Sequence, residues 1–351
     1  MANKEINKFR EKIDGIDNKL LELLAERSKI VNSIGAYKDK SKSVVDATRE
    51  KKILERLLRN YQGHYSKDSL VRIWRELFYA SSKLQLNKDS NIISKRNIDD
   101  IKIYTGGKTS IKGKKSIIKL SSNENVFGPS PKVLQTLNSE NIFFRYPEIN
   151  GKSLRENLSK IHLINPEQII LGNGSDEILF LSALAFCNVG DEIIHARHGF
   201  EMYPIISKMI GAVSVIAEEI NYKISVDSIL KKINASTKII FIANPNNPTG
   251  TYLNRKELIN LFSLVPKNII IVIDGAYAEY VQKQDYDNTF KALTKFNNII
   301  ITRTFSKAYG LAGLRLGWCY TSKEIALILN KIKPPFNANF LALKAAIQAL
   351  H

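Results

Sequence analysis

Thr304-Phe305-Ser306-Lys307, with Arg315 eight residues after the lysine, is the stretch that decides the fold of the larger part of this chain. Upstream, in order, stand Gly172-Asn173-Gly174-Ser175-Asp176-Glu177, Asn244-Pro245-Asn246-Asn247-Pro248-Thr249-Gly250 and Asp274-Gly275-Ala276-Tyr277. Each block follows a short Ile/Val-rich run, at 168–171, 238–243, 269–273 and 298–302; a further run lies at 192–195, and helical patterns fill the intervals. This alternation predicts an α/β domain with a mostly parallel sheet from about Ser116 onward. A generic doubly wound binding domain has the same texture, so the side chains in the loops must supply the function.

Those side chains are a matched set. The turn at Gly174, Ser175 and Asp176 opens a helix and offers free N–H groups to a phosphate. Thr304, Ser306 and Arg315 add hydroxyls and a fork of donors for the same anion. Asp274, directly after a strand, suits a protonated ring nitrogen, and Asn247 and Tyr277 suit a phenolic oxygen beside it. Lys307 offers an amine for a Schiff base and for proton transfer at a substrate carbon. An aldehyde cofactor with a ring nitrogen and a phosphate, pyridoxal 5'-phosphate (PLP), satisfies all of them.

The blocks resemble fold-type I aminotransferases of the histidinol-phosphate aminotransferase group. Leu120-Ser121-Ser122-Asn123-Glu124-Asn125, Gly128-Pro129-Ser130-Pro131 and Arg145-Tyr146-Pro147-Glu148 extend the similarity. The resemblance implies that Tyr146 reaches the phosphate of the other subunit, that Phe200 stacks on the cofactor ring, and that Asn123–Asn125 lies near the substrate. Two departures stand out. Gly275 occupies a position where the family usually has Glu. The sequence also stops at His351, before the small C-terminal domain that supplies the family's carboxylate-clamping arginine, which implies a transaminase with impaired turnover.

The first ninety residues have a different texture. Ile6, Phe9, Ile13, Ile16, Leu20, Leu23, Arg27, Ile30, Ile34 and Tyr37 step by threes and fours, which predicts one long helix with an apolar seam. A second helix is expected after Asp46 as N-cap, and a third from Ser66, with the stripe Val71, Trp74, Phe78, Ser81, Gln85. Arg27, Ser81 and Gln85 put polar groups where packing wants Leu, and a buried arginine needs a counter-ion. Periodicity alone fits a helical dimerisation module as well as a cationic pocket for a dianion.

Phe9-Arg10-Glu11-Lys12-Ile13-Asp14, Leu23-Leu24-Ala25-Glu26-Arg27, Gly35-Ala36-Tyr37-Lys38 and Arg49-Glu50 are similar to the signature of the all-helical chorismate mutases, over about residues 5 to 86. The resemblance implies an intertwined helical dimer in which Arg10 comes from the partner and Arg27 and Lys38 bind carboxylates. Asp46 and Glu50 would hold the substrate hydroxyl, Arg49 and Ser81 would line the site, and Lys38 and Gln85 would donate to the ether oxygen. A pericyclic rearrangement needs no nucleophile; a rigid cationic box that orients the substrate and stabilises the developing charge suffices.

Composition sets the remaining bounds. The net charge of +18 is scattered, with its densest cluster at Lys108–Lys115, and reads as a solvated surface attracting anionic substrates rather than a nucleic-acid site. No run approaches the roughly 18 apolar residues of a membrane span, and the charged start excludes a signal peptide. Cys187 and Cys319, far apart, suggest neither a disulfide framework nor a metal site. The expected protein is cytoplasmic and homodimeric: a mutase domain over 1–88, a polar linker over 89–115, and over 116–351 the large domain of a PLP enzyme. Its substrates would be chorismate, a 2-oxo acid such as prephenate or an aromatic relative, and an amino donor. Histidinol-phosphate aminotransferase-type activity, another PLP outcome such as decarboxylation, and a dead PLP-fold domain acting as dimerisation or regulatory scaffold are the alternatives.

Overall fold

The structure, a computed structural model, describes residues 2–37, 47–85, 98, 101, 121–139 and 144–351. The chain divides into two compact units, Met1–Arg96 and Asn97–His351.

In the first unit, helix α1 spans Ala2–Tyr37, α2 Ala47–Asn60 and α3 Lys67–Gln85. The unbroken apolar period of the first 37 residues thus becomes a single helix. Ser66 caps α3, its Oγ accepting from the Ser69 amide at 3.1 Å. α3 packs on both α1 and α2, burying Val31, Leu70 and Phe78. Among the described residues the N-terminal part of the α1 seam finds no cover: Ile6, Phe9, Ile13, Ile16 and Leu20 are all exposed, Phe9 by 63% and Ile16 by 64%.

The second unit is a three-layer α/β domain. Its strands are β1 (Ile169–Gly172), β2 (Glu192–Ala196), β3 (Val213–Ala217), the short pair β4 (Glu219–Ile220) and β5 (Lys223–Ile224), β6 (Thr237–Ala243), β7 (Ile270–Asp274), β8 (Ile299–Thr304) and β9 (Gly317–Thr321). The main sheet runs β1-β9-β8-β7-β6-β2-β3; β3, β2, β6, β7 and β8 are mutually parallel, and β9 is antiparallel to both neighbours.

Both faces of this sheet are covered, which is why its strands read as continuous apolar runs instead of alternating ones. Ile240, Ile242, Ile271, Ile273, Ile299 and Ile301 face one core, and Ile239, Phe241, Ile270, Val272 and Ile300 the other. The first core is closed by α4 (Pro131–Ser139), α5 (Lys152–His162), α8 (Val226–Lys232), α9 (Arg255–Leu264) and α11 (Phe340–Ala349). The second is closed by α6 (Ser175–Phe186), α7 (Met202–Ile210) and α10 (Lys323–Ile332). Each fully buried Ile or Phe is worth about 1.5–3 kcal/mol, so this sheet is the rigid platform from which the loops project. Among the described residues no helix is long and apolar enough to cross a membrane.

Candidate functional site

The C-terminal ends of β6, β7 and β8 open on one cavity, the crevice where open α/β sheets bind ligands. The start of α6 brings Ser175 and Asp176 to it, and the turn before α7 brings Phe200. Asn247 arrives on the loop after β6, Asp274 and Tyr277 from the end of β7, and Thr304, Ser306 and Lys307 from the end of β8; Arg315 completes the wall from the segment before β9. Nearly all the cofactor residues expected from the sequence therefore meet in one place.

Asp274 forms the floor and is 4% exposed. Its Oδ2 accepts from the Tyr203 hydroxyl at 3.0 Å; its Oδ1 accepts from Thr302 Oγ1 at 3.0 Å and from the Ala276 amide at 3.3 Å. Burial pushes its proton affinity up, and the two hydroxyls act against that. Among the described residues no cation lies within ion-pair distance of this carboxylate. A buried anion held only by neutral donors fits a cationic ligand atom such as a protonated ring nitrogen.

At the other end the donors gather. Arg315 adopts a left-handed backbone (φ 56°), and its Nη2 stands 3.4 Å from Asp176 Oδ2, its Nη1 3.4 Å from Ser306 Oγ. Gly174, also left-handed (φ 79°), makes room for it: a Cβ there would lie 2.6 Å from Arg315 Nη2. Thr304 Oγ1 accepts from the Ser306 amide at 3.1 Å. A helix N-terminus, two hydroxyls and a guanidinium are a donor set that suits a phosphate.

Between these ends Lys307 Nζ donates to the Ser122 carbonyl at 2.8 Å and sits 5.5 Å from the Tyr277 ring centroid. Burial lowers its pKa, which favours the neutral amine a Schiff base requires. Asn123 Nδ2 donates to the Tyr277 hydroxyl at 2.9 Å. A larger cleft of about 720 Å³ shares Asn247 and Tyr277 with the cavity and is lined also by Asn123, Tyr252, Tyr280 and Lys283, leaving room for a substrate. The residues thus fit PLP in charge, donor set and order. Tyr146 lies outside the cavity, 82% exposed and stacked on Phe336 at 4.6 Å.

In the helical unit Arg27 and Ser81 come together. Arg27 Nη1 donates to Ser81 Oγ at 2.5 Å and to the Leu77 carbonyl at 3.5 Å, and Ser81 is buried. The arginine's partners here are neutral oxygens. Arg10 is exposed on α1, seventeen residues and about 25 Å of helix from Arg27. Arg49 is exposed and Glu50 half-buried in the first turn of α2, and Gln85 is the last residue of α3. Lys38 and Asp46 lie outside the described residues.

The family profile of class I and II aminotransferases matches residues 115–351. The chain belongs to this aminotransferase family. The profile of type II chorismate mutases matches residues 9–86, so an isomerase domain precedes the transferase domain on one chain. Histidinol-phosphate aminotransferases of Ruegeria pomeroyi and Pelagibacter ubique are 43% and 44% identical over 254 and 251 residues, covering 72% and 71% of this chain and 70% of each relative. The histidinol-phosphate aminotransferase of Sinorhizobium meliloti, solved with pyridoxal-5'-phosphate, superposes with a TM-score of 0.63 at 26% identity, over 65% of this chain and 63% of that one. The enzyme of Clostridium acetobutylicum gives 0.60 at 28% identity, over 66% and 68%. The aminotransferase domain's cofactor is pyridoxal 5'-phosphate.

Tyr203, Thr302 and Arg303 escaped the sequence reading. Arg303 is 3% exposed and lies over Gly275, where a Cβ would be 1.7 Å from its Nη1; the guanidinium fills the space that the family's usual Glu side chain would enter. Thr302 and Arg303 lie within the β8 run, where an isolated polar pair gives no local signal of its purpose.

Proposed function

We propose that this chain is bifunctional: residues 1–88 rearrange chorismate to prephenate, 89–115 link, and 116–351 transaminate prephenate or an aromatic 2-oxo acid. The observation that carries the reading is the convergence of Lys307, Asp274 and Arg315 on one cavity, in a chain whose other unit pairs Arg27 with Ser81.

When bound, PLP supplies an electron sink for a bond broken at the substrate's α-carbon. The protein's residues do the rest. Ser175, Asp176, Thr304, Ser306 and Arg315 hold the phosphate end, with Gly174 giving Arg315 its place, and Tyr146 reaches the partner's phosphate. Phe200 covers the ring, Asn247 and Tyr277 donate to its phenolic oxygen, and Asp274 keeps the ring nitrogen protonated. Lys307, its pKa lowered by burial, takes the proton from the substrate Cα.

In the mutase unit Arg27 and Lys38 bind carboxylates, Asp46, Arg49, Glu50 and Ser81 fix the substrate, and Lys38 and Gln85 stabilise charge developing on the ether oxygen. Arg10, remote from Arg27 in its own chain, serves the partner's site. The exposed seam of α1 supports a homodimer, since a second copy would bury it. We place the enzyme in the cytoplasm.

Lys307→Ala tests the division of labour. It should abolish amination and leave chorismate consumption intact; equal loss of both activities, or of neither, rejects it. The relatives' names favour a second reading, transamination of histidinol phosphate, and kcat/KM for histidinol phosphate against an aromatic amino acid decides between them.

A further inference from the structure

We propose that Tyr203 and Thr302 are positioning residues for the cofactor's ring nitrogen, acting through Asp274 by holding one of its carboxylate oxygens each. The proposal rests on the reading of Asp274 as the partner of that nitrogen.

Three structural elements converge to make the arrangement. Strand register sets Thr302 of β8 directly beside Asp274 of β7, and Thr302 Oγ1 donates to Oδ1 at 3.0 Å. Tyr203 comes from α7, in the crossover between β2 and β3, and its hydroxyl donates to Oδ2 at 3.0 Å. Tyr203 is 0% exposed. A residue wanted there only for packing would be Phe, because a hydroxyl buried so completely is costly unless it is bonded. The carboxylate gives that hydroxyl its purpose.

The Tyr203 ring does a second task. It lies flat on Phe241 of β6, with centroids 4.9 Å apart and planes at 12°, and takes Phe200 edge-on at 5.7 Å and 90°. One side chain therefore braces both the aromatic expected over the cofactor ring and the acid expected at its nitrogen. Strand β6 fixes the brace from below, so Asp274 and Phe200 are held in mutual register.

The chemical consequence concerns where a proton sits. Burial favours the neutral acid at Asp274, and a neutral acid cannot hold a pyridinium. Two hydroxyl donors and the Ala276 amide act against burial, favouring the carboxylate form. The other titratable groups facing this cluster are Asp176 on α6, His195 on β2 beside the Tyr203 ring, Lys307 after β8, and Tyr277 and Tyr286 after β7. Removing one donor should move the shared proton towards Asp274. The ring then loses positive charge, and the imine nitrogen attached to it holds its own proton to higher pH.

The test uses the full chain with Tyr203→Phe, Thr302→Val and Thr302→Ser. PLP affinity is measured by absorbance titration of the apo protein, the pH midpoint of the bound cofactor's visible band by spectroscopic titration, and folding by thermal melting. Tyr203→Phe and Thr302→Val should each weaken PLP binding about tenfold, the fold-change that corresponds to about 1.4 kcal/mol. Each should also move the midpoint upward by about one pH unit. Thr302→Ser, which keeps the hydroxyl, should retain wild-type values. Unchanged affinity and midpoint in Tyr203→Phe and Thr302→Val, even with lowered melting temperature, overturn the proposal and leave both residues as packing. Should Tyr203→Phe fail to fold, the Val/Ser pair at 302 decides alone. A wild-type chain that develops no visible band with PLP instead overturns the cofactor assignment, and the proposal with it, before any variant is compared.

Discussion

Gly275→Ala is the perturbation whose cost can be worked most directly from the geometry. A Cβ at 275 would lie 1.7 Å from Arg303 Nη1 and 2.7 Å from its Cζ, and 3.1 Å from the Thr302 carbonyl oxygen. The last contact is merely tight, so relief must come from moving the guanidinium. That group is buried, donates from Nη1 to the Thr302 carbonyl at 3.0 Å and from Nη2 to the Asn288 carbonyl at 3.1 Å, and lies over the Phe290 ring at 5.0 Å. Its nearest carboxylate, Glu279, is 4.0 Å from Nε. Hydrogen bonds from a charged donor are worth about 1.5–3 kcal/mol each, so losing the equivalent of one to two costs about 3 kcal/mol. At about 2–4 °C per kcal/mol for a domain of this size, the melting temperature should fall by about 10 °C in a calorimetric or circular-dichroism scan. PLP affinity should fall as well, because Asp274 and Tyr277 flank the displaced turn. Gly275→Glu meets the same clash but brings Arg303 a counter-ion, so it should lose less than Gly275→Ala. Combining Gly275→Ala with Arg303→Met should cost less than the sum of the single changes. A Gly275→Ala protein that melts with the parent, or a Gly275→Glu protein less stable than Gly275→Ala, would refute the reasoning.

Borohydride reduction of the PLP-loaded chain followed by peptide mapping should place the label on Lys307, and a label on any other lysine rejects the site. Burial, and secondarily the Arg303 cation, hold His162 at about 4, below its ordinary 6.5. Between those values the unfolded chain takes a proton that the folded one refuses, so stability is full above about pH 6.5 and falls as pH drops towards 4. His162→Phe, which keeps a ring against Phe290 and Trp318, should flatten that slope in denaturant titrations run at several pH values. Ile13→Glu with Ile16→Glu, placed on the exposed seam of α1, should shift the protein to monomer in light scattering and abolish mutase activity. Arg27→Ala, which removes the donor to Ser81 Oγ, should lower kcat/KM for chorismate by about 100-fold or more, in line with the loss of a charged anchor worth about 3 kcal/mol.

What was legible in the sequence follows from how local each signal is. The runs that became β1, β2, β6, β7 and β8 announced themselves because burial on both faces demands unbroken Ile and Val. β3 and β9 did not. Val213–Ala217 sits at the sheet edge with Val213 exposed, and Gly317-Trp-Cys-Tyr-Thr lacks the aliphatic signature although all five residues are buried. The expected cofactor residues were readable because most of them sit in blocks that close a strand or open a helix, the positions where loops meet ligands. Tyr203 and Thr302 were not, since their purpose depends on strand register and on a crossover helix that brings residues 71 and 28 positions apart from Asp274 against its two oxygens. Gly275 looked like a bare departure until the Arg303 guanidinium was found in the space above it. In the helical unit, the polar interruptions of two apolar seams marked Arg27 and Ser81 as inward-facing, but not that neutral oxygens would stand in place of a counter-ion; the exposure of the α1 seam was not legible, because periodicity gives a face and not what covers it.

The most direct test of the bifunctional account is a product analysis by mass spectrometry. The PLP-loaded chain is given chorismate with isotopically labelled glutamate and aspartate as amino donors. The account predicts that chorismate disappears, that prephenate forms, and that the isotope enters an aminated product of prephenate or of an aromatic 2-oxo acid derived from it. Untouched chorismate, or prephenate that accumulates while no label leaves the donors, would contradict it.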